Sequence, residues 1–444
     1  MNKEFHKKQN FFSFSDIDSE RKDRIMKFTS TEATPAPHVP PGVLRLTGAA
    51  KEDIPMYRIQ TMNKISPVGL NRFPSELYEV GDAVQDPQGI LVRSAKLLDL
   101  EFNPGLLAIA RAGVGVNNIP LDRCAAAGIP VFSTPGANAN AVKELVICAM
   151  LMSSRDIPGA IRWVREQAAS GIEDSTVVEK GKSAFIGPEL YKKTLGIIGL
   201  GAIGSIVANT AISLGMDVYG YDPFLSVDTA LRLDRHVHVV KDINDLYKRS
   251  DYITMHIHYT EKTAHMIDAD AIAAMKRGVR VINLARGEIV DDEAMLTALD
   301  TGMVAAYITD FPNNRLLTAP HVIAMPHLGA STPESEQNCA AMAVDTLRDY
   351  LESGNIRSSV NLPEMTMDRS GVQRLCVLHK NVPGMLANIT SLFGRDGVNV
   401  ENLSNKSRGD YAYTMVDLGS KVGDNVIEDV RRTANVIRVR SLEW

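Results

Sequence analysis

The sequence predicts an α/β protein of two parallel-sheet domains, one of them discontinuous, followed by a small βαββαβ domain. Three observations lead there. Short apolar runs alternate with helical stretches in two successive blocks, the pattern of parallel sheets covered on both faces. A strand of the second block ends in a glycine-patterned turn, and the last stretch of roughly 70 residues reads strand–helix–strand–strand–helix–strand.

A chain of 444 residues exceeds what one hydrophobic core normally organises. Its 23% charged and 45% apolar residues are the balance of a globular protein, and a net charge of −5 argues against a polyanion as the main partner. A small anionic substrate remains open, because a few local cations suffice for it. Cys124, Cys148, Cys339 and Cys376 are far apart in apolar or helical stretches, so they read as buried thiols, with no metal site expected. No apolar run approaches the roughly 20 residues of a membrane helix, and the first residues lack a signal peptide's apolar block. The expectation is a cytoplasmic protein.

Taken in order, residues 1–54 mix both charges with Ser, Thr and four prolines (Pro35, Pro37, Pro40, Pro41), the composition of a mobile extension. The first block follows over 55–140, with Ile90-Leu91-Val92, Leu107-Ala108-Ile109-Ala110 and Pro130-Val131-Phe132 as strands. Asn140 to Met152 carries Val142, Leu145, Val146 and Met150 at helical spacing and bridges to the second block, a domain over 141–327. Ser331-Thr332-Pro333-Glu334 then announces a helix with a cap, a proline in its first turn and an early acid. Ala340, Val344, Leu347 and Leu351 line its apolar face, so residues 328–360 return to complete the first domain. A polar linker is expected over 361–371. From 372 to 444, strands at Leu375–His379, Val398–Leu403, Tyr411–Leu418 and Val436–Val439 alternate with helices at Pro383–Phe393 and Asn425–Thr433.

The strand Leu195-Gly196-Ile197-Ile198 runs into Gly199-Leu200-Gly201-Ala202-Ile203-Gly204 and then a helix. Gly199 allows the tight turn, Gly201 lets the backbone approach a pyrophosphate, and Gly204 allows close helix–sheet packing. The helix start offers free N–H groups to phosphates. A second strand, Asp217 to Tyr221, ends in Asp222 at about the 20-residue distance of a ribose-binding acid. A carboxylate there accepts ribose hydroxyls and repels a 2′-phosphate, so this Rossmann-like domain should take NAD rather than NADP.

Two more strands end in isolated polar residues at the edge where open α/β sheets bind ligands: Val281-Ile282-Asn283-Leu284-Ala285-Arg286 and His321-Val322-Ile323-Ala324-Met325-Pro326-His327. Each has a structural alternative, a surface ion pair for Arg286 and a satisfied histidine for His327. Together with the glycine turn, Leu284-Ala285-Arg286-Gly287 and Pro326-His327-Leu328-Gly329-Ala330-Ser331-Thr332 resemble the D-isomer-specific 2-hydroxyacid dehydrogenases, over roughly Tyr57 to Gly354.

That resemblance implies a substrate domain interrupted by the cofactor domain, Arg286 gripping the substrate carboxylate and C2 oxygen, and His327 as the base that takes the C2 hydroxyl proton. It assigns Ala202 and Ile203 to the pyrophosphate, Leu284 and Ala285 to the nicotinamide side, Asp310 to the carboxamide, and Gly329 to the cofactor site. Gly113, Val114 and Gly115 resemble the family's carboxylate-binding turn, whose successive N–H groups suit an anion. Lys64, Arg93, Ser94 and Lys143 are the candidates for a phosphate on a small phosphorylated 2-hydroxy acid.

One departure stands out. The family carries a Glu shortly after the nicotinamide-contacting Asp, yet Asp310-Phe311-Pro312-Asn313-Asn314-Arg315 has no second acid. Asn313 or Asn314 orienting His327, Glu288 substituting, or an unassisted base all stay open.

His379-Lys380-Asn381-Val382-Pro383-Gly384 with Gly397-Val398-Asn399 resembles an ACT domain, the module that binds amino acids between paired copies. The resemblance makes His379, Asn381 and Asn399 the effector residues, serine the effector, and the protein a homo-oligomer, dimer or tetramer. A reductase of unphosphorylated hydroxypyruvate or glycerate, and a non-catalytic NAD-sensing scaffold, remain alternatives.

Overall fold

A computed structural model describes residues 56–171 and 175–444; the expected extension over residues 1–54 lies outside the described residues. The first sheet holds β1 (Tyr57–Met62), β2 (Tyr78–Gly81), β3 (Gly89–Val92), β4 (Ala108–Arg111) and β5 (Val131–Phe132) in the order β2-β1-β3-β4-β5. Every pairing in it is parallel. Central β3 is buried at all four positions, as its unbroken apolar run requires for a sheet covered on both faces.

The helix Ala139–Ser154 then packs Val142, Val146, Ala149 and Met150 against the second sheet. That sheet comprises β6 (Thr194–Ile198), β7 (Asp217–Tyr221), β8 (Val237–Val240), β9 (Tyr252–Met255), β10 (Val279–Asn283), β11 (Val304–Thr309) and β12 (Val322–Ala324). Its order is β12-β11-β10-β9-β6-β7-β8, so the winding reverses between β6 and β9. Ligand crevices of open sheets form at such a reversal. Before β6 the chain adds helices at Ile157–Ala169 and Ser175–Gly181.

The helix Pro333–Ser353 starts as its sequence foretells, with Thr332 Oγ accepting the Ser335 N–H and Glu334 and Glu336 in the first turn. It lies on the first sheet, its Ala340, Ala343, Val344 and Leu347 sharing a core with Ile59, Leu91 and Ala108. Gly69 permits the contact, since a Cβ there would fall 2.6 Å from the Ala340 carbonyl carbon.

The last unit is an antiparallel sheet, β13 (Gln373–Lys380), β14 (Val400–Arg408), β15 (Tyr411–Leu418) and β16 (Val436–Glu443), ordered β14-β15-β13-β16. Helices Met385–Arg395 and Asp424–Arg432 cover one face through Met385, Ile389, Phe393, Val426 and Val430. The other face, with Cys376, Leu378, Tyr413, Met415 and Leu442, joins the core of the first sheet. Strand β14 runs further than its apolar pattern suggests, because an edge strand holds its place through the ladder with β15 while Glu401, Asn402, Lys406 and Arg408 face solvent.

The expected linker needs correction. Leu362, Met365 and Met367 are buried, and Ile356 bridges Met365, so this stretch is packed rather than tethering. Three residues hold the junction. Arg440 donates to the Tyr350 and Leu351 carbonyls at 3.1 and 2.9 Å, the Tyr413 hydroxyl donates to the Gly354 carbonyl at 2.6 Å, and Arg374 donates to the Ser353 carbonyl at 2.8 Å. Arg374 also forks onto Asp417 at 2.5 and 2.7 Å, with both side chains fully buried.

Three cysteines are buried as expected, whereas Cys148 is exposed. Among the described residues no helix is long and apolar enough to cross a membrane.

Replacing Asp417 by Ala strands a buried guanidinium, and urea denaturation should show a loss of about 3–5 kcal/mol. The paired replacement Arg374→Met with Asp417→Leu should recover only part of it, because no unpaired charge remains while the Ser353, Met367 and Asp368 carbonyls lose their donor.

Candidate active site

The glycines of the turn after β6 serve two different needs. Gly199 adopts φ +90°, and a Cβ on it would meet the His256 carbonyl oxygen at 2.6 Å; one on Gly204 would fall 1.9 Å from the Gly199 oxygen. Both are required by the chain's own packing. Gly201 has nothing within 4 Å of its Cβ position. Its bareness answers to something outside the chain, which fits a pyrophosphate resting on the backbone. Gly201 also caps the helix Ala202–Ser213 without a side chain, leaving first-turn N–H groups, those of Ala202 and Ile203 among them, for an anion. Asp222 is pinned beside the turn by N–H groups of Leu200 at 2.9 Å and Phe224 at 2.8 Å.

At the end of β10, fully buried Asn283 shapes the turn that presents Arg286. Its Oδ1 accepts the Ala285 N–H at 3.1 Å, and its Nδ2 donates to the Arg286 carbonyl at 2.8 Å. A Cβ on Gly115 would lie 3.1 Å from the Arg286 guanidinium, so the Gly113–Gly115 turn of the first domain closes on Arg286. Arg111 reaches the same turn, its guanidinium 2.5 Å from the Cβ position of Gly113, and its Nε donates to the Arg93 carbonyl at 3.0 Å. Burial, with the charges of Arg286 and Arg93 adding to it, lowers the Arg111 pKa below its ordinary value.

The guanidiniums of Arg111 and Arg286 thus meet at one turn, and the Arg93 charge lies near enough to Arg111 to act on it. Among the described residues, Arg93 is the one of the three with a carboxylate partner, Glu336, in an exposed ion pair. Sequence reasoning valued the Arg111 loop for its backbone alone, although the signal that singled out Arg286, an arginine ending an apolar strand, was present there too.

Asn63, at φ +74°, fixes the loop after β3 by accepting the N–H groups of Ser94 at 2.9 Å and Ala95 at 2.7 Å. Exposed Lys64 follows it at the same sheet edge. Lys143 faces Glu144 at 3.7 Å.

His327 stands on the loop between β12 and the Pro333–Ser353 helix. Its ring centroid lies 4.4 Å from that of Phe311, and the Arg286 guanidinium carbon lies 5.4 Å from the same Phe311 ring. The two candidate catalytic side chains therefore meet across one aromatic ring.

Beside them, buried Asp310 accepts the Gly329 N–H on Oδ2 at 2.9 Å, while its Oδ1 is buried without a partner among the described residues. Burial raises the Asp310 pKa, opposed by the Gly329 N–H and by His327. An orphaned buried carboxylate oxygen calls for a donor from a ligand, and a carboxamide supplies one. With the bare Gly201, it makes the cleft fit a nicotinamide dinucleotide running past Leu284 and Ala285.

The suggested substitutes for the absent acid are corrected. Asn313 spends its Oδ1 on the N–H groups of Arg315 and Leu316 and its Nδ2 on Asp292. Asn314 and Glu288 are exposed, and none of the three is hydrogen-bonded to His327.

The effector trio is not assembled within one copy. His379 is buried, with Nδ1 2.8 Å from the Lys380 carbonyl and Nε2 2.8 Å from Thr414 Oγ1, so its reading as an effector ligand is corrected to that of a sheet residue. Asn381 and Asn399 are exposed at opposite ends of the sheet, because Lys380 registers through Tyr411 with Arg408 while Asn399 precedes Val400, opposite Leu418.

Residues 147–329 match the family described as D-isomer specific 2-hydroxyacid dehydrogenase, NAD binding domain. Over 379 residues the chain is 31% identical to the D-3-phosphoglycerate dehydrogenase of Haemophilus influenzae, covering 82% of this chain and 88% of that one. It is 36% identical over 326 residues to the protein of the same name from Synechocystis sp., across 71% of this chain but 56% of that relative, so it spans little more than half of that longer protein. Among solved structures, the NAD⁺-bound 3-phosphoglycerate dehydrogenase of Entamoeba histolytica aligns with a TM-score of 0.53 at 25% identity, covering 69% of this chain and 99% of that one.

The two kinds of glycine separate by experiment. Gly201→Val should leave the thermal melt unchanged and weaken NADH binding at least about tenfold, near 1.4 kcal/mol. Gly204→Ala should instead lower stability by about 1–3 kcal/mol. Melting curves and NADH fluorescence titrations check both.

Proposed function

The chain belongs to the D-isomer-specific 2-hydroxyacid dehydrogenases, and on that premise we propose that it oxidises D-3-phosphoglycerate to 3-phosphohydroxypyruvate with NAD. The observation that carries the proposal is the meeting of Arg286 and Arg111 at the Gly113–Gly115 turn, with the Arg93 charge acting on Arg111 and His327 one aromatic ring away. Like charges crowd together at a cost unless an anion joins them, and a substrate with a carboxylate at one end and a phosphate at the other suits a site that gathers several cations.

In this reading Arg286 and the Gly113, Val114 and Gly115 backbone take the carboxylate and the C2 oxygen. Arg111 and Arg93, with Ser94 and Lys64 at the same sheet edge and Lys143 as a further cation, take the phosphate. His327 accepts the C2 hydroxyl proton while the Arg286 guanidinium stabilises the negative charge that grows on that oxygen. NAD, when bound, supplies the acceptor for the C2 hydride. Gly199, Gly201, Ala202, Ile203 and Gly204 cradle its pyrophosphate, Asp222 its ribose, and Asp310 and Gly329 its nicotinamide end.

Partners follow from the last unit. Asn381 and Asn399 of one chain lie at opposite ends of a sheet and can share an effector only across two copies, which supports a homo-oligomer with ACT-type pairing and serine as the effector. Partly exposed Ile161, Val164 and Val178 in the helices before β6 offer a second surface for self-association. A cytoplasmic location accords with this chemistry.

A second reading, a reductase of unphosphorylated hydroxypyruvate or glycerate, draws on the Arg93–Glu336 ion pair, which occupies one of the three cations.

NADH formation with 3-phosphoglycerate, glycerate and lactate decides among these, and no turnover with any acid would leave only an NAD-sensing scaffold. Arg286→Lys should cost on the order of 10²–10³ in kcat, because an ammonium lacks the forked geometry. Arg111→Ala should raise KM for 3-phosphoglycerate at least about tenfold and leave glycerate turnover within about twofold.

A further inference from the structure

A base on a surface loop needs a partner that stops its ring from swinging, and among the described residues no carboxylate fills that place. Among the described residues the His327 ring has neither a hydrogen bond nor an ion pair; its side-chain neighbour is Phe311, with ring centroids 4.4 Å apart and planes tilted by 49°.

Phe311 is itself well fixed. Its N–H donates at 3.0 Å to the Oγ1 of Thr309, which is fully buried, and the Arg286 guanidinium carbon sits 5.4 Å from its ring centre. A Cβ on Gly287 would lie 3.5 Å from the Phe311 Cβ and carbonyl oxygen, so the turn after Arg286 packs along it. The loop backbone around His327 is tied separately, by Gly329 N–H to Asp310 and by Ser331 Oγ to the His327 carbonyl at 3.2 Å.

We propose that Phe311 is a positioning residue of the reaction: its ring, held between Arg286 and His327, sets the imidazole and the guanidinium at a fixed separation, in place of a carboxylate on the histidine. The proposal rests on the dehydrogenase reading above. The physics is that of an aromatic ring whose negative face and positive edge favour tilted contact with a second ring and attract a guanidinium. A proton leaving the C2 hydroxyl brings positive charge onto the imidazole, so the same face gains attraction as the reaction proceeds. Phe311 touches neither substrate nor proton and acts through the two groups that do.

The test compares Phe311→Leu, which keeps bulk and loses the ring, with Phe311→Tyr, which keeps the ring. Phe311→Leu should lower kcat by about ten- to hundredfold, the scale of a small misplacement of a reacting group, with NADH affinity within about twofold and an unchanged melt. Phe311→Tyr should restore most of the rate. Proton NMR supplies a readout independent of turnover. The His327 ring protons, assigned by their loss in His327→Asn, should stand shifted by the ring current of Phe311 in the wild type and in Phe311→Tyr, and return to ordinary positions in Phe311→Leu.

Normal kcat in Phe311→Leu, a Tyr variant as slow as the Leu variant, or His327 resonances indifferent to the ring would each overturn the proposal. If Phe311→Leu does not fold, Phe311→Met takes its place and the wild-type ring shift decides. Absence of any 2-hydroxy acid turnover in the wild type would sink the dehydrogenase reading instead, and the NMR comparison would still say whether Phe311 holds His327.

Discussion

The carbonyls that end a buried helix must find donors, and at the end of the Pro333–Ser353 helix those donors come from another sheet. Arg440, Arg374 and Tyr413 satisfy the carbonyls of Tyr350, Leu351, Ser353 and Gly354, and Asp417 keeps the Arg374 guanidinium neutralised within the core. The last unit is therefore part of the molecule's main core. One helix joins three parts of the protein: it begins just after the His327 loop, its middle completes the first sheet, and its end is held by the βαββαβ unit.

The cleft contains groups that the chain leaves incomplete. Gathered guanidiniums repel one another, a carboxylate oxygen is buried without a donor, and a helix starts with uncapped N–H groups. Each deficit is specific in sign: the arginines and the helix start need anions, and Asp310 needs a donor. A ligand pair bringing a pyrophosphate, a carboxamide and a doubly anionic acid, as in the proposed reaction, would answer all of them.

Much of this was legible because the residues involved have a backbone reason to be what they are. Glycines at 199, 201 and 204 and an acid at the end of the next strand declare themselves by spacing, whereas Arg286 at a strand end gains its role only from the family resemblance of Leu284-Ala285-Arg286-Gly287. Arg111 did not declare itself, because the glycines beside it explained the loop without its side chain. Phe311, next to Pro312, reads in a sequence as core, and only coordinates show a histidine and an arginine on its ring. The linker misled because three apolar residues among polar ones lack a period, and His379 misled because a motif does not say whether an imidazole points along a sheet or out of it. Strand β14 was truncated for the opposite reason, since an edge strand needs no apolar alternation to stay paired.

The discontinuous topology explains why the chemistry is divided as it is. Arg93, Arg111 and the Gly113–Gly115 turn belong to the first sheet; Arg286, Asp310 and Phe311 belong to the second; and His327 lies on the passage from the second back to the first. A substrate that touches all of them must bridge the two sheets, so the energy of binding its two anionic ends falls across the same gap that the reacting carbon occupies. In the proposed reaction, remote contacts at a carboxylate and a phosphate would hold that carbon against the base and the cofactor, which is how binding energy far from a reacting centre is converted into rate. The Phe311 ring fits this arrangement as a spacer within the second half of the site: in the proposed role it sets the base against the guanidinium, both being in contact with one ring.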